Sequence, residues 1–141
     1  MPEEEFAKAE LIDDWLQSHK GMKGVECYTH SLTVYFPVAS RHAEDEFEKL
    51  LATCNEIFKG STVYDAEGSW CAKSPCGPEN VVREPVKVIE MAHHCVDAEQ
   101  AKRFAEALKE AAISTKQEAV SIAGTGKFLI IPPGKFKEIS S

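Results

Sequence analysis

Five cysteines and five histidines are the side chains of this 141-residue chain best suited to hold a metal or attack a substrate. Their spacing decides which of them can act together. Cys71-x4-Cys76 followed by His93-His94-Cys95 has the ligand types of a zinc site. Geometry speaks against that grouping, because Cys71 and Cys76 flank a loop while His93 and Cys95 close the strand after it. About ten residues at about 3.3 Å each separate the two by roughly 30 Å. A second grouping is sterically open. If the first and third strands are antiparallel neighbours, the start of one meets the end of the other, bringing Cys27 and His30 to His93 and Cys95. His93 and Cys95 share a strand face and His94 points away. His30, His93 and Cys95 are therefore the candidate metal ligands, for zinc or another borderline-soft ion. The plainer alternative is a set of polar residues at the end of a sheet.

A second candidate site collects Trp70, Arg83 and Glu84 around a hairpin, with Asp65 and Glu67 nearby. The indole supplies a stacking surface and Arg83 a partner for an anion. The alternative is an edge hairpin with cross-strand ion pairs and a packed Trp. Gly124-Thr125-Gly126-Lys127 invites comparison with a phosphate loop. That motif needs a Gly where Ser121 stands, a Ser or Thr where Phe128 stands, and a helix to follow. A hairpin turn is the better reading. No carboxylate pair and no Cys–His spacing fixes a mutual geometry that would assign a catalytic residue.

The elements that position these groups follow from periodicity. A first helix runs from about Pro2 or Glu3 to His19, with Phe6, Ala9, Ile12, Trp15 and Leu16 in an apolar stripe that must dock on something. Gly21 and Gly24 end it. Cys27 to Phe36 alternates as a strand, its even positions Leu32, Val34 and Phe36 apolar and its odd positions Ser31, Thr33 and Tyr35 semi-polar. Ser40 is the N-cap of a second helix carrying Phe47, Leu50, Leu51, Cys54, Ile57 and Phe58 at helical spacing. Two strands follow, Gly60–Trp70 and Glu84–Met91, around a Pro/Gly-rich loop at Lys73–Asn80. Asp97 and Gln100 have the spacing of a capping box for a third helix ending near Ser114. Gln117–Ile122 and Phe128–Ile131 are short strands around the glycine turn, and residues 133–141 read as a loose tail.

The order strand–helix–strand–strand–helix–strand predicts an α+β domain with a ferredoxin-like βαββαβ antiparallel sheet, an extra N-terminal helix and a C-terminal β-hairpin. Residues 1–141 form one domain in this reading, with the helix and linker at 1–24 and the core at 25–132. The third strand is apolar at both parities, Val86 and Val88 against Ile89 and Met91, so both faces need cover. The N-terminal helix or a second subunit must provide it, which predicts a homodimer or homotrimer. Gly60-x-Thr62-Val63 opening the second strand, the long loop, and Pro85-Val86-x-Val88-Ile89-Glu90 before a helix and Glu118-Ala119-Val120 resemble the PII-like and CutA-like group. The segment is also similar to small ferredoxin-like bacterial proteins without an assigned function. The resemblance covers about Cys27 to Ile122 and implies the fold, oligomer formation and a loop that contacts ligands or targets. Around that loop Lys73 and Arg83 are the only cations, which argues against carrying over nucleotide binding.

Composition narrows the classes of function. A net charge of −7, with sixteen Lys and Arg scattered among twenty-three acids, lacks the clustered basic surface that nucleic acid requires. The acidic start Met1-Pro2-Glu3-Glu4-Glu5 is unlike a secretory leader, and no apolar run reaches the ~18 residues of a membrane span. A cytoplasmic protein is expected. An odd number of cysteines without a C-x-x-C pair reads as free thiols in a reducing compartment. Only Cys71 and Cys76 are close enough in sequence to bond readily. Closing so short a loop stabilises by ~2 kcal/mol or less, so such a bond is redox-labile rather than structural. No cofactor motif is present, and the cofactor stays unknown. The function expected from the sequence is a non-catalytic, oligomeric binding or regulatory module for a small ligand or protein partner, using the loop and the Trp70, Arg83 and Glu84 surface. The alternative is a small metal-assisted enzyme using His30, His93 and Cys95.

Overall fold

The computed structural model describes residues 3–25, 28, 30–93 and 96–137, with side chains from residue 11 onward. Cys27, His94 and Cys95 lie outside the described residues. Helix α1 spans Glu3–Ser18, strand β1 His30–Pro37, α2 Arg41–Phe58, β2 Thr62–Cys71, β3 Val81–His93, α3 Ala98–Ser114, β4 Val120–Gly124 and β5 Lys127–Ile131. Five strands form one antiparallel sheet in the order β2-β3-β1-β4-β5. This is an α+β architecture. β1 and β3 are neighbours, with Val34 opposite Ile89 and His30 opposite His93.

The helices begin where the sequence signals them. Ser40 accepts a hydrogen bond from the Ala43 amide at 3.1 Å. Asp97 and Gln100 bond reciprocally as a capping box. Such side chains satisfy amides that a helix leaves unpartnered in its first turn. At the other end of α2, Lys59 adopts a left-handed conformation and its amide reaches the Asn55 carbonyl.

Helices α2 and α3 share one face of the sheet. Phe47, Leu50 and Cys54 of α2 and Leu108, Ala111 and Ala112 of α3 join Val34, Phe36, Ile89, Met91 and Val120 in a single core. The small residues of α3 let its axis approach the strands closely. Burial pushes the Cys54 thiol up to about 12, the behaviour of an inert core residue.

Three boundaries differ from the sequence expectation. β3 starts at Val81 and pairs with β2 from Cys71 onward, so the hairpin is longer than foreseen. Val81 and Val82 are β-branched, and a 3-10 turn at Pro78–Asn80 turns the chain back immediately before them. β4 starts at Val120 rather than Gln117 because the Gln117 amide still bonds the Ala112 carbonyl, extending the end of α3. The described part of the C-terminal segment is not loose. A 3-10 turn at Pro133–Lys135 sets Phe136 against the core.

Among its described side chains, from Leu11 onward, the N-terminal helix places no apolar residue against the sheet. Leu11, Ile12, Trp15 and Leu16 are all exposed, Trp15 at 62%. Trp15 instead contacts His19, just beyond the end of the helix, with ring centroids 4.4 Å apart.

The hairpin-turn reading of Gly124–Lys127 is what the structure shows. Gly124 pairs with Lys127, and both Thr125 (φ 52) and Gly126 (φ 74) are left-handed. A two-residue hairpin of this kind suits Gly or Asn at such positions and disfavours a β-branched side chain. We expect Thr125→Asn to stabilise the protein by about 0.5–1 kcal/mol, a rise in Tm of about 1–3 °C. Thermal melts of the two proteins check it.

Candidate functional site

Strand alternation divides the sheet residues between two faces. Val34, Ile89, Val63 and Ile122 lie in register on the helix-covered face. Ser31, Thr33 and Tyr35 of β1, Tyr64 and Trp70 of β2, and Glu84, Val86, Val88 and Glu90 of β3 therefore occupy the opposite face, with Ala123 of β4 and Phe128 of β5. No element of the chain covers this open face among the described residues. Val88 is nonetheless 1% exposed, flanked in register by Tyr35 and Tyr64.

One end of the open face carries a cavity of about 370 Å³ lined by Ser31, Thr33, Ala123, Lys127 and Phe128, with the turn Gly124–Gly126 as its rim. The Phe128 and Tyr35 rings lie 5.6 Å apart and form an aromatic wall. Thr33 is the register partner of Glu90, which places Glu90 next to the cavity's Thr33 on the same face. The Tyr64 hydroxyl donates to Glu90 Oε1 at 2.7 Å, and this bond holds the tyrosine above its ordinary pKa. The depression thus offers the Phe128 ring and two small hydroxyls, with Lys127 at its turn, and Glu90 lies beside Thr33 on the same face of the sheet. Gly124 shapes it. A Cβ there would meet the Ser31 carbonyl oxygen at 3.0 Å, so any larger side chain would press on the β1 backbone.

The residues singled out from the sequence fall in three places. Trp70 and Glu84 share the open face at the tip end of the β2–β3 hairpin, roughly 20 Å along β3 from Glu90. Arg83 lies on the helix side, opposite Ser69 in register, and its Nη1 bonds Glu67 Oε1 at 3.4 Å. Adjacent residues of a strand point to opposite faces, which separates Arg83 from Glu84. His30 and His93 do meet, as register partners with ring centroids 5.3 Å apart. The His93 ring also stands 5.5 Å from Phe58, which packs edge-on against Phe104. Cys95 is outside the described residues, and among those described no group of three His, Cys, Asp or Glu side chains could hold a metal ion.

Glu84 is half-buried, and burial raises its carboxyl above the ordinary value. A folded pKa above the unfolded one gives stability that is present in acid and lost as pH rises through the folded value. At neutral pH the ionised Glu84 is therefore a cost. Glu84→Gln should stabilise the protein slightly at neutral pH, by less than about 1 kcal/mol for a group so accessible to solvent. The advantage should vanish in acid, where Glu84 is protonated. Paired melts at neutral pH and below the carboxylate range measure it.

No family model matches the chain, and no curated protein matches it in sequence. Solved structures do share its fold. A phage SAM lyase in complex with S-methyl-5'-thioadenosine superposes with a TM-score of 0.56 at 14% identity, over 79% of this chain and 95% of the lyase. The apo state of a phage SAM lyase gives a TM-score of 0.52 at 15% identity, over 79% of this chain and 94% of that one.

These comparisons overturn the non-catalytic binding module expected from the sequence, because the solved structures that share the fold are of an enzyme. That expectation rested on the lack of a recognisable catalytic set along the chain. The polar groups of the open face come from β1, β2, β3 and β5, far apart in sequence, and no linear spacing reveals them. A partial signal was present in the semi-polar odd positions of β1, which are Ser31, Thr33 and Tyr35. Glu90, Tyr64 and Phe128 carried none. No helix among the described residues is long and apolar enough to cross a membrane.

Proposed function

We propose that this chain is an enzyme that cleaves a small sulfonium substrate of the SAM type, using the open-face cavity lined by Thr33 and Phe128, with Glu90 and Tyr64 beside it. The carrying observation is that cavity, set on a fold shared with phage SAM lyases over nearly their whole length. The strand order β2-β3-β1-β4-β5 supports reading the chain as one ferredoxin-like βαββαβ domain with an added helix and hairpin. The resemblance to the PII-like and CutA-like group points to the same fold.

The chemistry of the site suits such a substrate. SAM pairs a flat base with a sulfonium and an amino-acid end bearing both charges. Phe128 and Tyr35 offer ring faces for the base. Ser31 and Thr33 offer hydroxyls for the sugar. Glu90, fixed by Tyr64, faces positive charge, and Lys127 faces the substrate carboxylate. The net charge of −7 favours the approach of a cation. Release of S-methyl-5'-thioadenosine breaks the bond from the sulfonium sulfur to the carbon chain of the methionine part, while an oxygen of the substrate's own carboxylate forms the new bond to that carbon and closes a lactone. The sulfur keeps the bonding pair and leaves as a neutral thioether. Charge disappears in this step, so an apolar wall of Phe128, Tyr35 and Val88 that excludes water favours it.

A homo-oligomer and a cytoplasmic location belong to the same reading. The exposed stripe of α1, the edge strand β5 with Leu129 and Ile130 exposed, and Trp70 and Val82 at the hairpin tip are apolar surface that a second copy would cover. Trp70 and Glu84 are then partner-facing residues, too far from Glu90 for one small ligand to touch both.

Incubation of the full chain with SAM, followed by chromatography for S-methyl-5'-thioadenosine, tests the reading. Product formed in proportion to protein, and reduced in Phe128→Ala, supports it. Absence of turnover together with no binding of S-methyl-5'-thioadenosine contradicts it.

A further inference from the structure

The tip of the β2–β3 hairpin carries two thiols that the proposed reaction does not use. Cys71 is the last residue of β2 and Cys76 lies in the loop beyond it, both exposed and both free. The loop is held by its own hydrogen bonds. The Ala72 amide donates to the Asn80 carbonyl at 2.8 Å, the Asn80 side-chain Nδ2 to the Pro75 carbonyl at 2.6 Å, and the Gly77 amide to the same carbonyl at 3.0 Å. Residues 72–80 are thereby folded back over the strand end. A hydrogen bond with Cys71 raises the Cys76 thiol above its ordinary range. Cys71 Sγ donates in turn to the Lys73 carbonyl at 3.1 Å.

We propose that Cys71 and Cys76 form a reversible dithiol–disulfide couple, a thiol-modification site at the hairpin tip that closes on meeting a low-molecular-weight disulfide. The structure supplies what such a couple needs: two accessible thiols five residues apart, on a loop that its own hydrogen bonds fold back toward the strand end. In the first step the Cys71 thiolate attacks one sulfur of the small disulfide. That S–S bond breaks, and one small thiolate leaves with the electron pair and takes up a proton. In the second step Cys76 loses its proton and attacks the Cys71 sulfur, expelling the second small thiolate, which is protonated in turn. Two protein thiols and one small disulfide become one protein disulfide and two small thiols. The protein is oxidised by two electrons and the small disulfide reduced by two. The second step is intramolecular, with an effective concentration on the order of millimolar for so short a tether, so it outruns attack by a second small molecule. The ring is too short to restrict the unfolded chain much, which keeps the bond easily reduced. Cys54 is the contrasting case, buried in the core and inert.

The proposal is independent of the catalytic reading. Its test treats the reduced full chain with glutathione disulfide over a range of concentrations, blocks the remaining thiols, and maps the products by peptide mass spectrometry. The expected product is a peptide linked through Cys71 and Cys76, saturating with oxidant, reversed by dithiothreitol, with Cys54 unmodified. Cys76→Ser should instead accumulate glutathione on Cys71, at least about tenfold more than the wild type does. Separate glutathione adducts on Cys71 and Cys76 in the wild type would overturn the proposal. So would both thiols remaining unmodified at oxidant concentrations that fully modify a free cysteine peptide.

Discussion

On the proposed SAM-cleaving function, replacing Glu90 with Gln should lower kcat/KM for SAM by about tenfold to a hundredfold, with the loss mainly on KM. The size follows from one charge-assisted hydrogen bond or close ion contact, about 1.5–3 kcal/mol. The division follows from where charge goes in the reaction. The sulfonium loses its charge as the thioether leaves, so an anion beside it stabilises the bound substrate at least as well as the transition state. Such an interaction tightens binding without accelerating the chemical step. Glutamine keeps an acceptor for the Tyr64 hydroxyl, which bonds Glu90 at 2.7 Å in the wild type, so the geometry of the site survives the change. Steady-state kinetics of the variant separate the outcomes. A loss carried wholly by kcat would make Glu90 a participant in the chemistry, and no loss would remove it from the site.

Phe47→Ala costs about 3–5 kcal/mol of stability, the range for deleting a buried phenyl group. Phe47 is fully buried on α2, its ring centroid 6.2 Å from that of Phe36 on β1, and it sits in the core cluster that joins both helices to the sheet. The Lys87 ammonium also stands over the ring, 5.9 Å from its centroid, so the phenyl face carries a cation contact. Against a total stability of about 5–15 kcal/mol this leaves a marginal protein. The expected fall in Tm is about 10–15 °C. A loss below about 1 kcal/mol in denaturant titration would mean that the α2 face is not packed against the sheet as described.

How much of this could be read from the chain differs between fold and site. The fold was legible where a physical signal is local. Ser40 and the Asp97–Gln100 pair announce their helices because capping needs a particular side chain at a particular offset. The meeting of His30 with His93 followed from antiparallel pairing of β1 and β3. The hairpin tip was less legible, since Val81 and Val82 carry strand propensity but the turn that admits them to β3 closes only in three dimensions. The position of α1 was not legible either, because its apolar stripe says that cover is needed and not what is covered.

The site was largely hidden. Ser31, Thr33, Tyr64, Glu90 and Phe128 come together through the order of the strands, while each looks ordinary in its own segment. Trp70, Arg83 and Glu84 drew notice because they are close in the hairpin, yet parity alone puts Arg83 on the other face from Glu84.

The most direct measurement is a backbone-amide NMR titration of the full chain with S-methyl-5'-thioadenosine. The account predicts saturable shifts concentrated at Ser31–Tyr35, Tyr64, Val88–Glu90 and Ala123–Phe128, around the open-face cavity. Shifts confined to the His30 and His93 end or to the hairpin tip would contradict it, as would a spectrum that the ligand leaves unchanged.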